Sequence, residues 1–141
     1  GGAIPSNLLQ ISNTESNSQY LRYCKIAGIQ GHPARFPEKL PQFFIEFLTE
    51  KNDLVLDIFA GSNTTGSVAE RLERKWLAFE QERKYLAASV FRFLSEKQEE
   101  AIKPIYEEIS KKNIGKIQLR GTSQLQLLET KAKYKTRAKS G

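Results

Sequence analysis

The sequence predicts an α/β fold built around one strand–turn–helix–strand unit in residues 53–80. The run LVLDIF at 54–59 is short and apolar apart from one acid, which is typical of a buried strand in a parallel sheet. A turn with two glycines, AGSNTTG, follows it, and SVAERLERK then places apolar residues at helical spacing. A second strand is predicted at 75–80. Because ligands bind outside the carboxyl ends of the strands in open α/β sheets, the unit predicts a binding crevice at that edge.

Helices are predicted on both sides of this unit. From Leu40 the apolar residues recur at helical spacing, with Pro41 in the first turn and Asn52 and Asp53 at the end. Residues 81–106 are again helical, with an interruption expected at Pro104. Residues 1–19 are expected to be loop or extended chain, and 115–121 a short strand. Two strands and three helices bury little core, so the sheet is expected to need further strands from elsewhere.

The charge of the chain is unevenly distributed. Its 141 residues suit a single domain, and its net charge is +6. Residues 111–141 contain nine Lys or Arg and one acid, Glu129, which gives this segment a net charge of +8. The remainder is slightly acidic. A basic terminus of this kind favours a polyanionic partner, most simply nucleic acid, although a solvated end that aids solubility fits the same composition.

The sequence gives no sign of a disulfide, a metal site or a membrane segment. Cys24 is the only cysteine and His32 the only histidine, and they form no recognisable set of metal ligands. A single cysteine fits a reducing compartment. No signal peptide and no apolar run of transmembrane length is seen, so a cytoplasmic protein is expected.

The turn after the first strand does not match the common phosphate-binding patterns. Gly61 and Gly66 have the spacing of the P-loop glycines, but Ser67 stands where that pattern requires lysine. Asn63 replaces the second glycine of the dinucleotide pattern GxGxxG. The ligand is therefore expected to lack a pyrophosphate.

Two acids at the strand ends indicate what this ligand is. Asp57 could hold an ammonium group, and Glu80 could accept both hydroxyls of a ribose, as a carboxylate does at this position in nucleotide-binding α/β units. The helix start after Gly61 favours a carboxylate. An amine, a carboxylate and a ribose without phosphate describe S-adenosylmethionine. The alternative is that Asp57 caps a turn and Glu80 ends a strand in water.

Several motifs resemble those of the DNA amino-methyltransferases. DIFAGSNTTG resembles their cofactor motif I, HPARFPEKLPQFFI their motif X, and FEQERKYL the segment after the second strand, motif II. Motif X directly before motif I is the order of the permuted β class. HPARFP followed by FAGSNTTG is most similar to the cytosine-N(4) methyltransferases of restriction–modification systems. The resemblance covers residues 4–95 and implies part of a Rossmann-like S-adenosylmethionine-dependent methyltransferase fold.

The resemblance also implies a role for individual residues of the pocket. The methionine part of the cofactor would be lined by Asp57, Phe59, Ala60 and Gly61, and its carboxylate would be contacted by Ser62, Asn63 and Thr64. Glu80 would hold the ribose, with Gln81 beside the adenine. The motif X wall would be formed by His32, Pro33, Arg35, Phe36 and Pro37. A surface ion pair is an equal alternative for Arg35, as is core packing for Phe36 and Phe59.

The chain departs from the family in one respect that concerns catalysis. The target amine is engaged in this family by a Ser/Asp-Pro-Pro-Tyr loop, which holds the amino group and stacks on the flipped base. The chain has no Pro-Pro pair: its prolines are Pro5, Pro33, Pro37, Pro41 and Pro104. The sheet is therefore expected to be completed, and the loop supplied, by a partner segment or chain, or by self-association.

Three functions follow from these expectations. The first is the cofactor-binding part of a split DNA cytosine-N(4) methyltransferase, inactive alone, with DNA and a complementary chain as partners. The second changes the target to the N(6) amine of adenine. The third is a non-catalytic nucleic-acid-binding relic of the fold. On this view residues 1–31 are a lead-in segment, 32–95 the cofactor-binding α/β unit and 96–141 a helical extension with a basic tail.

Overall fold

The computed structural model of the chain describes residues 8, 10–12, 18–94 and 96–111. Two α-helices precede the first strand, and one lies between the two strands. Two α-helices follow the second strand, with two short 3₁₀ helices between them. The elements are α1 Gln19–Ala27, α2 Lys39–Leu48, β1 Leu54–Asp57, α3 Thr64–Arg71, β2 Lys75–Ala78, α4 Arg83–Ser89, the 3₁₀ helices Val90–Arg92 and Glu96–Ala101, and α5 Ile102–Lys111.

The two strands form a parallel pair with α3 between them in sequence, which confirms the predicted unit. Their register runs from Leu54 opposite Lys75 to Asp57 opposite Ala78. Each strand is two residues shorter than predicted. The pairing continues one residue beyond this register, because Phe79 N donates to Asp57 O at 2.8 Å. The carboxyl ends of both strands therefore lie side by side.

Asn63 starts α3 from a left-handed backbone conformation. Its φ is 58°, and its Oδ1 accepts a hydrogen bond from Gly66 N at 3.1 Å, so the Asn63 side chain caps the helix. A Cβ added at Gly66 would lie 2.3 Å from that oxygen. Gly66 is therefore required by the cap and not by its own backbone angles.

Gly66→Ala should lower the free energy of unfolding by about 1–2 kcal/mol, because the lost cap and the steric overlap outweigh the better helix propensity of alanine. Urea unfolding of the full chain measures it. Ser67→Ala is the matched control, since Ser67 is the next residue of α3 and its hydroxyl makes only a long 3.3 Å bond to Thr64 O. Equal stabilities of Gly66→Ala and the wild type would contradict this account of the turn.

Two apolar clusters form the core of the described residues. The larger joins α1, α4, the first 3₁₀ helix and α5, and includes Tyr20, Tyr23, Phe91 and Ile102. The smaller lies between α2 and α3 over the strands and consists of Ile45, Val68 and Ala69, with Val55 and Trp76 packed against it. Trp76 also belongs to the border of the larger cluster, so it connects the two.

Three expectations about the helices need correction. Residues 19–27, for which no element was predicted, form α1, because four of its side chains are buried in the larger cluster. α2 ends at Leu48, and Thr49 rather than Asn52 caps it. The helical region after β2 breaks at residues 93 and 94 and not at Pro104. Pro104 lies in the first turn of α5, where a missing N–H costs nothing.

One face of the sheet is covered and the other is open. Val55 packs under α2 and α3, so the alternating residues Leu54 and Leu56 point the other way and are 63% and 57% exposed. Ile58 beyond the strand is also exposed. We call these three residues the open sheet face. The run LVLDIF is therefore not a fully buried strand within the described residues.

The predicted strand at 115–121 and the basic terminus after Lys111 lie outside the described residues. Within the part that the structure does describe, no helix is both long and apolar enough to cross a bilayer.

Candidate functional site

The site lies at the carboxyl edge of the two strands, where the turn after β1 meets the segment after β2. Asp57 is the last residue of β1 and is half-buried. Its Oδ1 accepts a hydrogen bond from Phe59 N at 3.0 Å. No described residue donates to Oδ2, so one carboxylate oxygen remains available to a ligand at the strand end.

Glu80 ties the turn to the second strand. Its Oε2 accepts from Gly61 N at 2.8 Å, and its Oε1 accepts from Glu82 N at 2.8 Å. The carboxylate is thus held in place by two backbone N–H groups, which a strand end in plain water would not require. Since each carboxylate oxygen can accept two hydrogen bonds, both oxygens still have capacity for ribose hydroxyls.

Gly61 allows a close approach between the turn and the segment before α2. Its φ is +53°, and a Cβ placed there would lie 3.1 Å from Cε1 of His32. The His32 ring also packs edge-on against Tyr85, with centroids 4.4 Å apart. Its Nδ1 lies 2.8 Å from Ala34 O, which can only accept, so Nδ1 is the donor of this hydrogen bond. The structure therefore brings His32 onto the glycine turn, although 29 positions separate them.

The remainder of the turn is buried and internally bonded. Ala60, Ser62, Asn63 and Thr64 are each at most 6% exposed. Ser62 Oγ and Thr64 Oγ1 lie 3.2 Å apart, and Ala60 N donates to Phe79 O at 2.9 Å. A turn with this many internal bonds keeps its shape without a ligand. Its N–H groups and the start of α3 present partial positive charge at one place.

The segment 32–37 contributes to the site mainly through its backbone and the side chain of Arg35. The Arg35 guanidinium donates through Nη1 to His32 O, while its buried Nε has no hydrogen-bond partner among the described residues. Pro33 and Phe36 are exposed, and Pro37 is half-buried. The alternative that Phe36 packs in the core is therefore wrong within the described residues. No ion pair of Arg35 is found there either, which leaves the unpaired Nε donor as its distinctive feature.

Two further predicted residues are on the surface. Phe59 is 84% exposed, so core packing is also wrong for it within the described residues. The ring follows the Asp57 turn and extends from the carboxyl edge, where a hydrophobic ligand group would cover it. Gln81 is exposed beside Glu80.

Sequence reasoning missed Arg92 and Tyr20, both of which contact the site. Arg92 Nε donates to Ser62 O at 2.8 Å, and Tyr20 OH accepts from His32 N at 3.0 Å. Burial raises the pKa of Tyr20 well above its ordinary range, so it stays protonated. The alternation of apolar and basic residues around Arg92 resembles an ordinary helix surface, and α1 was not predicted. A signal for α1 was present, because Tyr20, Tyr23, Cys24 and Ala27 recur at helical spacing, but it does not indicate either contact.

The residues at this edge fit S-adenosylmethionine. Asp57 Oδ2, which accepts no hydrogen bond from the described residues, suits the ammonium of this molecule. The start of α3 suits its carboxylate, and the Glu80 carboxylate, which two N–H groups fix in place, suits its ribose. The exposed Phe59 ring suits the adenosyl or methionine carbons. The turn lacks the lysine of a P-loop, so it does not suit the terminal phosphates of a nucleotide.

Comparison with known proteins finds relatives among bacterial methyltransferases. The chain is 64% identical over 110 residues to the type II methyltransferase M.PvuII of Proteus hauseri, which covers 77% of this chain and 33% of the relative. It is 47% identical over 58 residues to M.BglI of Bacillus subtilis and 46% identical over 55 residues to M2.LlaDCHI of Lactococcus lactis subsp. cremoris. These matches cover 41% and 39% of this chain and 17% and 20% of the relatives.

A solved structure gives the same result for the fold. The chain superposes on the PvuII DNA methyltransferase (cytosine-N4-specific) with a TM-score of 0.72 and 64% identity, over 76% of this chain and 38% of that one. The chain thus spans about a third of the length of M.PvuII. The family model described as DNA methylase matches residues 4–91, which include β1, the glycine turn and β2. The chain belongs to the DNA methylase family.

Proposed function

We propose that the chain is the S-adenosylmethionine-binding part of a DNA cytosine-N(4) methyltransferase of a restriction–modification system, and that a complementary part supplies the catalytic loop. The observation that carries the proposal is the joined carboxyl edge of a DNA methylase, in which Gly61 N donates to Glu80 Oε2. The backbone of Phe79, directly before Glu80, donates to Asp57 O and accepts from Ala60 N. Cytosine is favoured over adenine because the solved structure with 64% identity is described as cytosine-N4-specific.

In this proposal the described residues bind and orient, while the reacting base is held elsewhere. Asp57 Oδ2 accepts from the ammonium of the cofactor, the start of α3 faces its carboxylate, and Glu80 receives the ribose hydroxyls. When bound, S-adenosylmethionine supplies an activated methyl group for direct transfer to an exocyclic amine. Fixing both ends of the cofactor leaves the methyl group at one position, which lowers the entropic part of the barrier.

The complementary part is supported by two observations. The chain contains no Pro-Pro pair, so the Ser/Asp-Pro-Pro-Tyr loop must come from another segment. The open sheet face and the exposed side of α2 (Phe44, Phe47 and Leu48) would be covered in a complete parallel sheet. Burying one such leucine contributes about 1.5–3 kcal/mol, so covering several side chains would support a stable complex.

DNA contact is assigned in part to the basic segment 111–141. Its nine Lys or Arg against one acid suit the phosphate backbone, which contributes affinity without sequence readout. Target recognition is assigned to the complementary part, because sequence-specific contacts need side chains at base edges rather than a basic tail.

Reconstitution tests the proposal directly. The chain alone should transfer no labelled methyl group from S-adenosylmethionine to DNA. Mixing it with the part of M.PvuII that lies outside the aligned region should restore transfer, because 64% identity preserves most of the contact surface. The same fragment mixed with the aligned region of M.PvuII itself is the positive control. Methylation by the chain alone, or failure of the mixture when the control pair works, would contradict the proposal.

The product identifies the target. N(4)-methylcytosine in the recovered DNA is the expected base, and N(6)-methyladenine would establish the second function instead. A non-catalytic relic would bind DNA but give no heat on calorimetric titration with S-adenosylmethionine.

A further inference from the structure

Arg92 is a buried cation directly behind the glycine turn. It ends the 3₁₀ helix Val90–Arg92, and its side chain is only 4% exposed. A buried guanidinium is costly unless it is hydrogen-bonded and paired, so its environment must compensate for it.

The guanidinium makes a bidentate contact with Ser62. Nε donates to Ser62 O at 2.8 Å and Nη2 donates to Ser62 Oγ at 3.0 Å. One rigid group therefore fixes both the backbone and the side chain of the residue between Gly61 and Asn63. Lysine cannot reproduce this geometry, because its ammonium carries no planar fork of donors.

The same guanidinium also contacts the opposite wall of the site. It lies over the Tyr20 ring, 5.0 Å from the centroid, and the Tyr20 hydroxyl accepts the hydrogen bond from His32 N. Its Nη1 is 3.8 Å from Glu38 Oε1, just before α2. Glu38 is shared with Arg71, whose Nη1 lies 2.6 Å from Oε2.

We propose that Arg92 is a positioning residue for the carboxylate end of the S-adenosylmethionine molecule, a role that rests on the proposed function. It acts through Ser62: by holding both the carbonyl and the hydroxyl of this residue, it keeps the turn in the shape that receives the carboxylate.

Arg92→Lys in the full chain tests this with two ligands that differ by one group. Titration calorimetry with S-adenosylmethionine should show about a tenfold loss of affinity, which corresponds to one charge-assisted hydrogen bond. Decarboxylated S-adenosylmethionine keeps the ammonium, sulfonium and adenosine. The affinity for this analogue should change by less than about twofold, because Arg92→Lys weakens only the contact with the carboxylate, which the analogue lacks.

Arg74→Lys is the matched control. Arg74 also makes a multidentate contact, with Nη2 2.7 Å from Thr49 O and Nε 3.1 Å from Thr49 Oγ1, but at the opposite end of β2. This variant should lose stability and bind both ligands as the wild type does. The comparison separates a lost structural contact from a lost ligand contact.

Partial unfolding of the variant does not change the ratio of the two affinities, because it lowers the apparent affinity for both ligands by the same factor. Equal losses for the two ligands, or no loss, would overturn the role of Arg92. If Arg92→Lys does not fold, Ser62→Ala removes the Nη2 partner alone and should show the same selective loss. Absence of heat with the wild-type chain would instead contradict the proposed function itself.

Discussion

Asp57→Ala should abolish measurable binding of S-adenosylmethionine by the chain. The half-buried carboxylate at the end of β1 has one oxygen committed to Phe59 N and one without a donor among the described residues. Removing it leaves the ligand ammonium unpaired in a crevice that excludes part of the solvent. A lost charge-assisted contact and the unpaired cation together cost about 3–5 kcal/mol, or a factor of several hundred or more in affinity. Titration calorimetry measures the loss.

Asp53→Ala provides the control for this variant. Asp53 precedes β1 and makes the same kind of bond, from Glu50 N to Oδ2 at 2.9 Å. Both substitutions therefore remove one aspartate–backbone turn contact, but at opposite ends of the same strand. The Asp53 variant should bind with wild-type affinity. Retained binding by Asp57→Ala, with circular dichroism showing both variants folded, would exclude Asp57 from the site.

Leu56→Glu should eliminate reconstituted methylation while leaving the isolated chain folded. Leu56 is on the open sheet face, so a charge there remains hydrated in the free chain and changes its stability by less than about 0.5 kcal/mol. If a partner covers this face, the same charge becomes buried without a counter-ion. That costs about 3–5 kcal/mol and should reduce association more than a hundredfold.

Ile26→Glu is the corresponding control on another surface. Ile26 is an exposed apolar residue of α1 and does not belong to the open sheet face. Activity in the reconstituted mixture should persist with this variant. Sedimentation velocity of each mixture reports association independently of catalysis. A Leu56→Glu chain that associates and supports methylation as the wild type does would show that the complementary part does not cover this face.

The central unit was predictable because its signals are local. An apolar run, a glycine turn and a helix start follow one another within thirty residues, and each depends on backbone preferences that neighbouring residues express. Gly61 and Asn63 both adopt the left-handed conformation that these residue types favour. The parallel pairing then follows, since a helix lies between the strands.

The contacts behind the site were not predictable, because they depend on packing between distant segments. Arg92 reaches Ser62 across thirty positions. The helix α1 itself has apolar residues at helical spacing, but that spacing does not show that Tyr20 reaches His32. Pro104 shows a related limit. A proline marks either a break or a first turn, and only the packing of Ile102 into the core selects the first turn of α5.

A crystal structure of the chain soaked with S-adenosylmethionine tests the central claim most directly. We expect the ammonium on Asp57 Oδ2, the carboxylate at the turn around Ser62, and the ribose hydroxyls on Glu80. An empty crevice between Asp57 and Glu80 at saturating ligand, or the ligand bound elsewhere on the chain, would contradict it.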